Sequence, residues 1–436
     1  MNDMRLFLIL ALLAPVAFAE DWPNWRGPSA DNLSKDLRLP TNWTAKTNVA
    51  WRTPLPEGGN STPIVWGGRV FLNQSEGKQR LLYCFDKANG KLLWKKGLLY
   101  EGKEPKHERN TFAASSPVTD GQSVFAFFGS AGLAAYDFDG KEKWKVDLGS
   151  IKHDWGIGSS PILWRDLVIL NFGPGEGSRL VAFNKKTGKE TWSFDIPDNS
   201  AQANATGLKD DSGWQIPGNN SDPNFVSLLY GAWSTPLIMN VKGKDQLIFQ
   251  ASRQLRGMDP ASGKVLWFCR GASDLQYASP IPGELKGEPV VAVIGGFTGS
   301  AMLVKLGGSG DVTETHRVWH KPNTKNTIGT GVIYQNHLYW IENAGIAQCI
   351  DLATGRVVWT GRLRSTGGKA EIWSSIIRNG DKLYATNQAG DSFVFRAAPK
   401  FEVVAVNSIG EETNSTLVPS DGHFFLRTFE ALWSLE

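Results

Sequence analysis

The chain has 436 residues, 20% charged and 41% hydrophobic, with a formal net charge of +3 and three cysteines. Lys and Arg are spread along it rather than clustered, which excludes the basic face of a nucleic-acid binder. After residue 19 no run approaches the roughly 18 uninterrupted apolar residues that a membrane helix needs.

Residues 1–19 read as an export signal. Arg5 lies near the start, Leu6 to Ala14 is an apolar run too short to span a bilayer, Pro15 breaks it, and "AFA" precedes Glu20. Cleavage after Ala19 is expected, releasing residues 20–436 as one domain into the periplasm or the medium. No cysteine follows the cleavage signature, so no lipid anchor is expected.

From there the chain repeats itself. One strand, "NVAWRTPL" around Trp51, precedes eight unit starts: "STP" at Ser61, "SSP" at Ser115 and Ser159, "STP" at Ser234, "ASP" at Ala278, then weaker copies "TGV" at Thr330, "SSI" at Ser374 and "STL" at Ser415. Within a unit a strand such as "GGRVFLN" or "NHLYWIE" comes next, then an alternating strand ending in Asp or Asn. A turn written five times over follows: "DKANGKLLW" from Asp86, "DFDGKEKW" from Asp137, "NKKTGKETW" from Asn184, "DPASGKVLW" from Asp259 and "DLATGRVVW" from Asp351. The Asp or Asn side chain can bond the backbone two residues on and the glycine supplies positive φ, which makes each copy a hairpin leading into a tryptophan strand. "VKLGGSGDVTETHRVW" loosens that turn before Trp319, and "APKFEVVAV" puts Phe401 where a tryptophan would stand.

Four short antiparallel strands per unit, with little sign of long amphipathic helices, describe propeller blades. The last unit starts at Ser415 and ends at "ALWSLE" without a fourth strand, while the Trp51 strand precedes the first unit. The fold class expected is all-β: an eight-bladed β-propeller of four-stranded antiparallel blades, closed by an N-terminal strand completing the last blade, which removes the open seam. Trp51, Trp94, Trp144, Trp192, Trp267, Trp319 and Trp359 recur at one place in successive blades. Each is expected to bury about 200 Å² against the neighbouring blade, several kcal/mol at ~25 cal/mol per Å². Only the interval from Trp192 to Trp267 is abnormally long. Its insertion, about 197–231, is rich in Asn, Asp, Gly, Ser and Pro and is expected to be a channel-mouth loop, with Trp214 as an aromatic contact.

These turns, with "DWPNWRGPSADNLS", "FGSAGLAAYDFDGKEKW" and "LNFGPGE", resemble the PQQ-binding-like (pyrrolo-quinoline quinone repeat) propellers, a quinoprotein-type eight-bladed family, over nearly all of residues 21–436. For the dehydrogenases of that group the resemblance implies a quinone covered by a disulfide between adjacent cysteines, Ca²⁺ held by carboxylate and amide oxygens, and an aspartate base. Here Cys84, Cys269 and Cys349 are far apart, and the haem pattern C-x-x-C-H is absent. Cys84 and Cys349 stand two residues before a repeat Asp, where other units have Ala135 and Ala182, and read as small core residues. No disulfide, no metal site and no cofactor are expected, PQQ being implied by the resemblance alone.

Loops joining the last strand of one unit to the first of the next gather at one mouth of the central channel, where this architecture places ligands. The candidates on them are His107, Arg109, His153, Asp154, Trp155, Lys325, Glu371 and Trp373. Neighbours such as His107 and Glu108, or His153 and Asp154, point opposite ways in an extended segment, which argues against a metal centre. No G-x-S-x-G nucleophile elbow is present. The function expected is a non-catalytic binding or scaffold protein of the cell envelope, a monomer whose partner is a protein, a small molecule or a glycan. The alternative is a divergent PQQ-type oxidoreductase or a carbohydrate-active enzyme with its site at the mouth.

Overall fold

The repeated turn closes as its residues require. In the computed structural model, which describes residues 20–196, 231–296, 299–367 and 371–436, Asp86 accepts from the N–H groups of Ala88 (2.9 Å) and Asn89 (3.2 Å), and Gly90 takes a φ of +70°. Asp137, Asn184, Asp259 and Asp351 cap their turns in the same way. The expected export signal lies outside the described residues, as does the insertion with Trp214 except for its last residue.

Each turn joins the third and fourth strands of an antiparallel sheet. Blade 1 pairs Ile64–Trp66, Arg69–Glu76, Gln79–Asp86 and Leu92–Leu99 in that order. Blades 2 to 7 repeat the pattern over 118–146, 162–195, 237–270, 281–321, 332–362 and 377–408. In blade 1 the second and third strands are buried along nearly their whole length and the fourth is largely exposed, which makes the fourth the rim. Blade 8 takes Val418–Ser420, His423–Arg427 and Ala431–Leu435 from the C-terminus and Val49–Pro54 from the N-terminus, with Trp51 opposite Ser434. Arg52 pins this seam: its Nη2 lies 2.7 Å from Glu411 Oε1, and Glu411 Oε2 accepts from Thr428 Oγ1 and Trp433 Nε1. The three cysteines are free and buried, in blades 1, 4 and 6.

Six of the seven tryptophans dock on the next blade. Trp51, Trp94, Trp144, Trp192, Trp319 and Trp359 donate Nε1–H to the carbonyls of Lys87, Phe138, Lys185, Pro260, Leu352 and Ala398, at 2.7–3.0 Å. For five of them the indole lies over the turn glycine of that blade. A Cβ on Gly90, Gly140, Gly188, Gly263 or Gly355 would fall 2.4–2.9 Å from the ring, so the repeat glycine is needed for its close approach as well as its φ.

Trp267 departs from the expected docking. Its Nε1 donates to Gln246 in its own blade (2.9 Å), over Gly257, where a Cβ would collide with the indole. The cause lies in blade 5, whose loosened turn offers no docking surface. Gly310–Asp311 instead adds a short parallel strand beside Trp267 and Phe268. Phe401 also departs: Ala405 holds the tryptophan register in blade 7, opposite Val394, while Phe401 sits in the preceding turn, packed on Trp359 at 5.1 Å and over Gly361.

The unit starts build a second device. The second residue of each motif, or in "TGV" the first, donates its backbone N–H to the hydroxyl of its counterpart in the next blade: Thr62 to Ser116, Ser116 to Ser160, Ser160 to Thr235, Thr235 to Ser279, Ser279 to Thr330, Thr330 to Ser375, Ser375 to Thr416, and Thr416 back to Thr62, at 2.9–3.2 Å. A proline after five of these residues keeps them extended and aims the hydroxyl sideways. The result is a closed belt of eight buried hydroxyls at the head of the channel.

Residues 20–38 plug the channel from the opposite end. Trp22 bridges Val65 of blade 1, Pro23 accepts from Thr119 of blade 2, Arg26 reaches Pro280 of blade 5, and Leu33–Ser34 pairs with Ile377–Asn379 of blade 7. Contacts from one short segment to the inner strands of four blades place it on the axis.

Candidate functional site

At the other end, above the hydroxyl belt, opens a cavity of about 830 Å³. Its floor follows one rule: the residue two before each belt hydroxyl lines it. In blade order these are Asn60, Ala114, Gly158, Trp233, Tyr277, Ile328, Trp373 and Asn414. The belt fixes the backbone at each of these positions, so the eight residues face one space from eight directions. Blades 4 to 7 supply an apolar half (Trp233, Tyr277, Ile328, Trp373), and blades 8 and 1 to 3 supply an amide and small-residue half (Asn414, Asn60, Ala114, Gly158).

The apolar half is built of interlocked rings. Trp233 lies 5.2 Å from Tyr277 and 5.7 Å from Trp155, and its Nε1 donates to the Gly156 carbonyl (2.8 Å). His153, buried behind them, meets Trp233 edge-on at 4.9 Å, and its Nδ1 accepts from the backbone of Trp155. Gly158 is small for a reason, since a Cβ there would stand 2.9 Å from Trp233. Burial pushes the Tyr277 phenol well above its ordinary pKa, so it stays protonated.

On the other half the amides form a chain. Gln388 donates to Asn414, Asn414 to Asn60 and Asn60 to Asn110, at 2.9–3.2 Å, and Asn110 donates to the Trp155 and Ile157 carbonyls. Across the rim, Arg109 Nη1 stands 3.1 Å from both oxygens of Glu371, which also accepts from Trp373 Nε1 (3.0 Å). Lys325 and Glu342 also line the mouth, Lys325 acting on the Glu342 carboxyl through space. Burial raises the Glu342 carboxyl, with a bond from Gln348 and the charge of Lys325 opposing it.

Of the residues expected from sequence, His107, Arg109, Trp155, Lys325, Glu371 and Trp373 line the cavity. His153 supports its wall, and Asp154 is exposed outside the lining. Sequence reasoning missed Asn60, Ala114, Gly158, Trp233, Ile328 and Asn414. Their signal was present, one residue ahead of each unit-start motif (two for Ile328), but nothing in the motif itself says that this position faces the axis.

The fit to a cofactor divides. The apolar half suits the flat face of an organic ring system, and Arg109 and Lys325 at its rim suit acidic substituents. For a metal the donor set falls short: among the described residues no three His, Cys, Asp or Glu side chains come together, and Glu371 and Glu342 are engaged by Arg109 and Gln348.

A closed ring of eight four-stranded blades, six of its joints docked by a tryptophan and its cavity set above a hydroxyl belt, is a PQQ-repeat propeller. The chain belongs to the family described as outer membrane protein assembly factor BamB, whose profile matches residues 41–148, 75–216 and 230–361. No curated protein matches it. Among solved structures it is similar to a europium-containing methanol dehydrogenase (12% identity, 95% of this chain and 89% of that one, TM-score 0.67). It is similar also to the quinohemoprotein alcohol dehydrogenase of Comamonas testosteroni (12%, 95% and 80%, TM-score 0.64) and to BamB of Moraxella catarrhalis (10%, 88% and 96%, TM-score 0.55). The expectation of no cofactor is corrected by these likenesses: two of the three proteins are named for a metal or a quinone–haem system.

Proposed function

We propose that the protein is a binding propeller of the cell envelope, not a catalyst, whose mouth holds a small ring-shaped polar molecule of the saccharide class. The observation that carries this reading is the division of the eight floor positions into an apolar half, for the flat face of a ring, and an amide half, for its hydroxyls. The Arg109–Glu371 ion pair, with Lys325 balanced by Glu342 in the same lining, leaves the mouth near neutral, which suits an uncharged ligand. Residues 1–19, with their export-signal make-up, support the location, and membership in an assembly-factor family supports a protein partner elsewhere on the ring.

A second reading puts a flat quinone on the same apolar half, with Arg109 and Lys325 on its acidic groups; the two rim cations favour it. One experiment separates them: native mass spectrometry of protein from the envelope fraction, then tryptophan-fluorescence titration with a saccharide panel. Saturable quenching by a saccharide is expected, weakened at least about 10-fold in Trp373→Ala, roughly 1.4 kcal/mol, at unchanged Tm. A copurifying chromophore supports the second reading, and no saturable ligand of either class overturns both.

A further inference from the structure

The plug carries a cation into the channel. Arg26 is 2% exposed, and its Nη1 donates to the carbonyl of Pro280 (2.7 Å), the residue directly after the belt member Ser279. Its guanidinium therefore lies near the level of the hydroxyl belt, on the side away from the mouth. The other two nitrogens, Nε and Nη2, have no acceptor among the described residues, and no carboxylate there lies within ion-pair distance. Asp31 is the acidic group that acts on it through space, and one of its oxygens is already engaged by the Leu33 N–H (3.1 Å). The Trp25 ring, 5.6 Å from Arg26 Cζ, offers only a π face.

A second unpartnered group belongs to the same turn of the plug. Asn32 is fully buried, its backbone N–H donates to the Arg26 carbonyl (3.0 Å), and neither atom of its amide has a partner among the described residues. Buried polar groups in folded proteins are hydrogen-bonded and buried charges are compensated. Two fork nitrogens of an arginine, in an arrangement that suits a planar or spherical anion, are left without an acceptor among the described residues.

We propose that the channel below the hydroxyl belt is an anion site, in which Arg26 Nε and Nη2 hold one small monovalent anion of chloride or bromide size and Asn32 stands by as a further donor. The anion neutralises the plug's buried charge and ties the segment 20–38 to the ring. This site is separate from the mouth, and no step of the proposed ligand binding depends on it.

The test uses the full-length chain. Crystals soaked in bromide are expected to show an anomalous peak within hydrogen-bond distance of the Arg26 guanidinium. In solution, replacing a bulky sulfonate salt by bromide at constant ionic strength is expected to raise the Tm by about 2 °C for each tenfold rise above saturation, and Arg26→Met should abolish that dependence. The absence of a peak at Arg26 overturns the proposal, as does a bromide dependence that persists in Arg26→Met. The diffraction arm needs only the wild-type chain and decides the question even if the variant does not fold.

Discussion

Asp391 shows how single residues hold the mouth in shape. It is fully buried, and its carboxylate accepts from Ser365 Oγ, from the backbone and hydroxyl of Thr366, and from Asn387, at 2.7–3.3 Å. That ties down the loop leading to Glu371 and Trp373. Burial pulls its pKa up, but the bonds from Thr366 and Ser365 outweigh burial and leave it below the ordinary carboxylate range. A folded-state pKa below the unfolded one means stability that is present above the unfolded value, about 3.9, and lost as pH falls through the folded value. Asp391→Asn should therefore cost about 1–3 kcal/mol at pH 7, with the gap to wild type narrowing below about pH 4. Urea melts at pH 7 and pH 3.5 measure this, and a gap constant across both would refute the account. Residues of this kind were the least legible part of the sequence. Asp391 belongs to no repeat, and Ser365 and Thr366, the partners that tie down the other loop, lie 26 and 25 positions away. The floor residues were hidden differently, because Asn60, Gly158 and Trp233 share no chemistry, only a position relative to a motif.

At the scale of the element, the blade joint is a tryptophan pressed on a glycine. Trp144 lies over Gly188, where a Cβ would come within 2.7 Å of the ring while φ stands at +70°. Trp144→Ala should cost about 3–5 kcal/mol as a large-to-small change. Gly188→Ala should also cost more than the ~1 kcal/mol of a left-handed alanine alone, because the methyl displaces the indole. Removing the indole removes the collision, so the double variant should be less destabilised than the sum of the singles. Additive values in that cycle would show that the two residues do not share a joint. These joints were plain in the sequence, since one turn fixes both the glycine and the tryptophan four residues later. Trp267 shows the limit of that legibility: its own turn is regular, but docking needs the turn of the next blade, and the blade 5 loop does not supply it.

For the whole molecule, the N-terminal 38 residues of the domain hold two different elements, and their removal should fail in two different ways. The plug, 20–38, fills the axis of a ring already closed by other means. The strand Val49–Pro54 is itself the closure, with Trp51 docked on blade 1 and Arg52 held by Glu411 of blade 8. Deleting 20–38 should leave every blade its four strands, so the protein should still unfold cooperatively, at a lower Tm because Trp22 and its contacts are gone. Deleting 20–57 should also strip the rim strand from blade 8 and uncover the Lys87–Gly90 turn on blade 1, leaving unpaired strand edges that promote association. Calorimetry and light scattering distinguish the cases: a single transition without aggregation for the shorter deletion, and loss of the cooperative transition with aggregation for the longer. A 20–57 deletion that melts cooperatively at the full-length temperature would show that the ring does not depend on its N-terminal strand for closure.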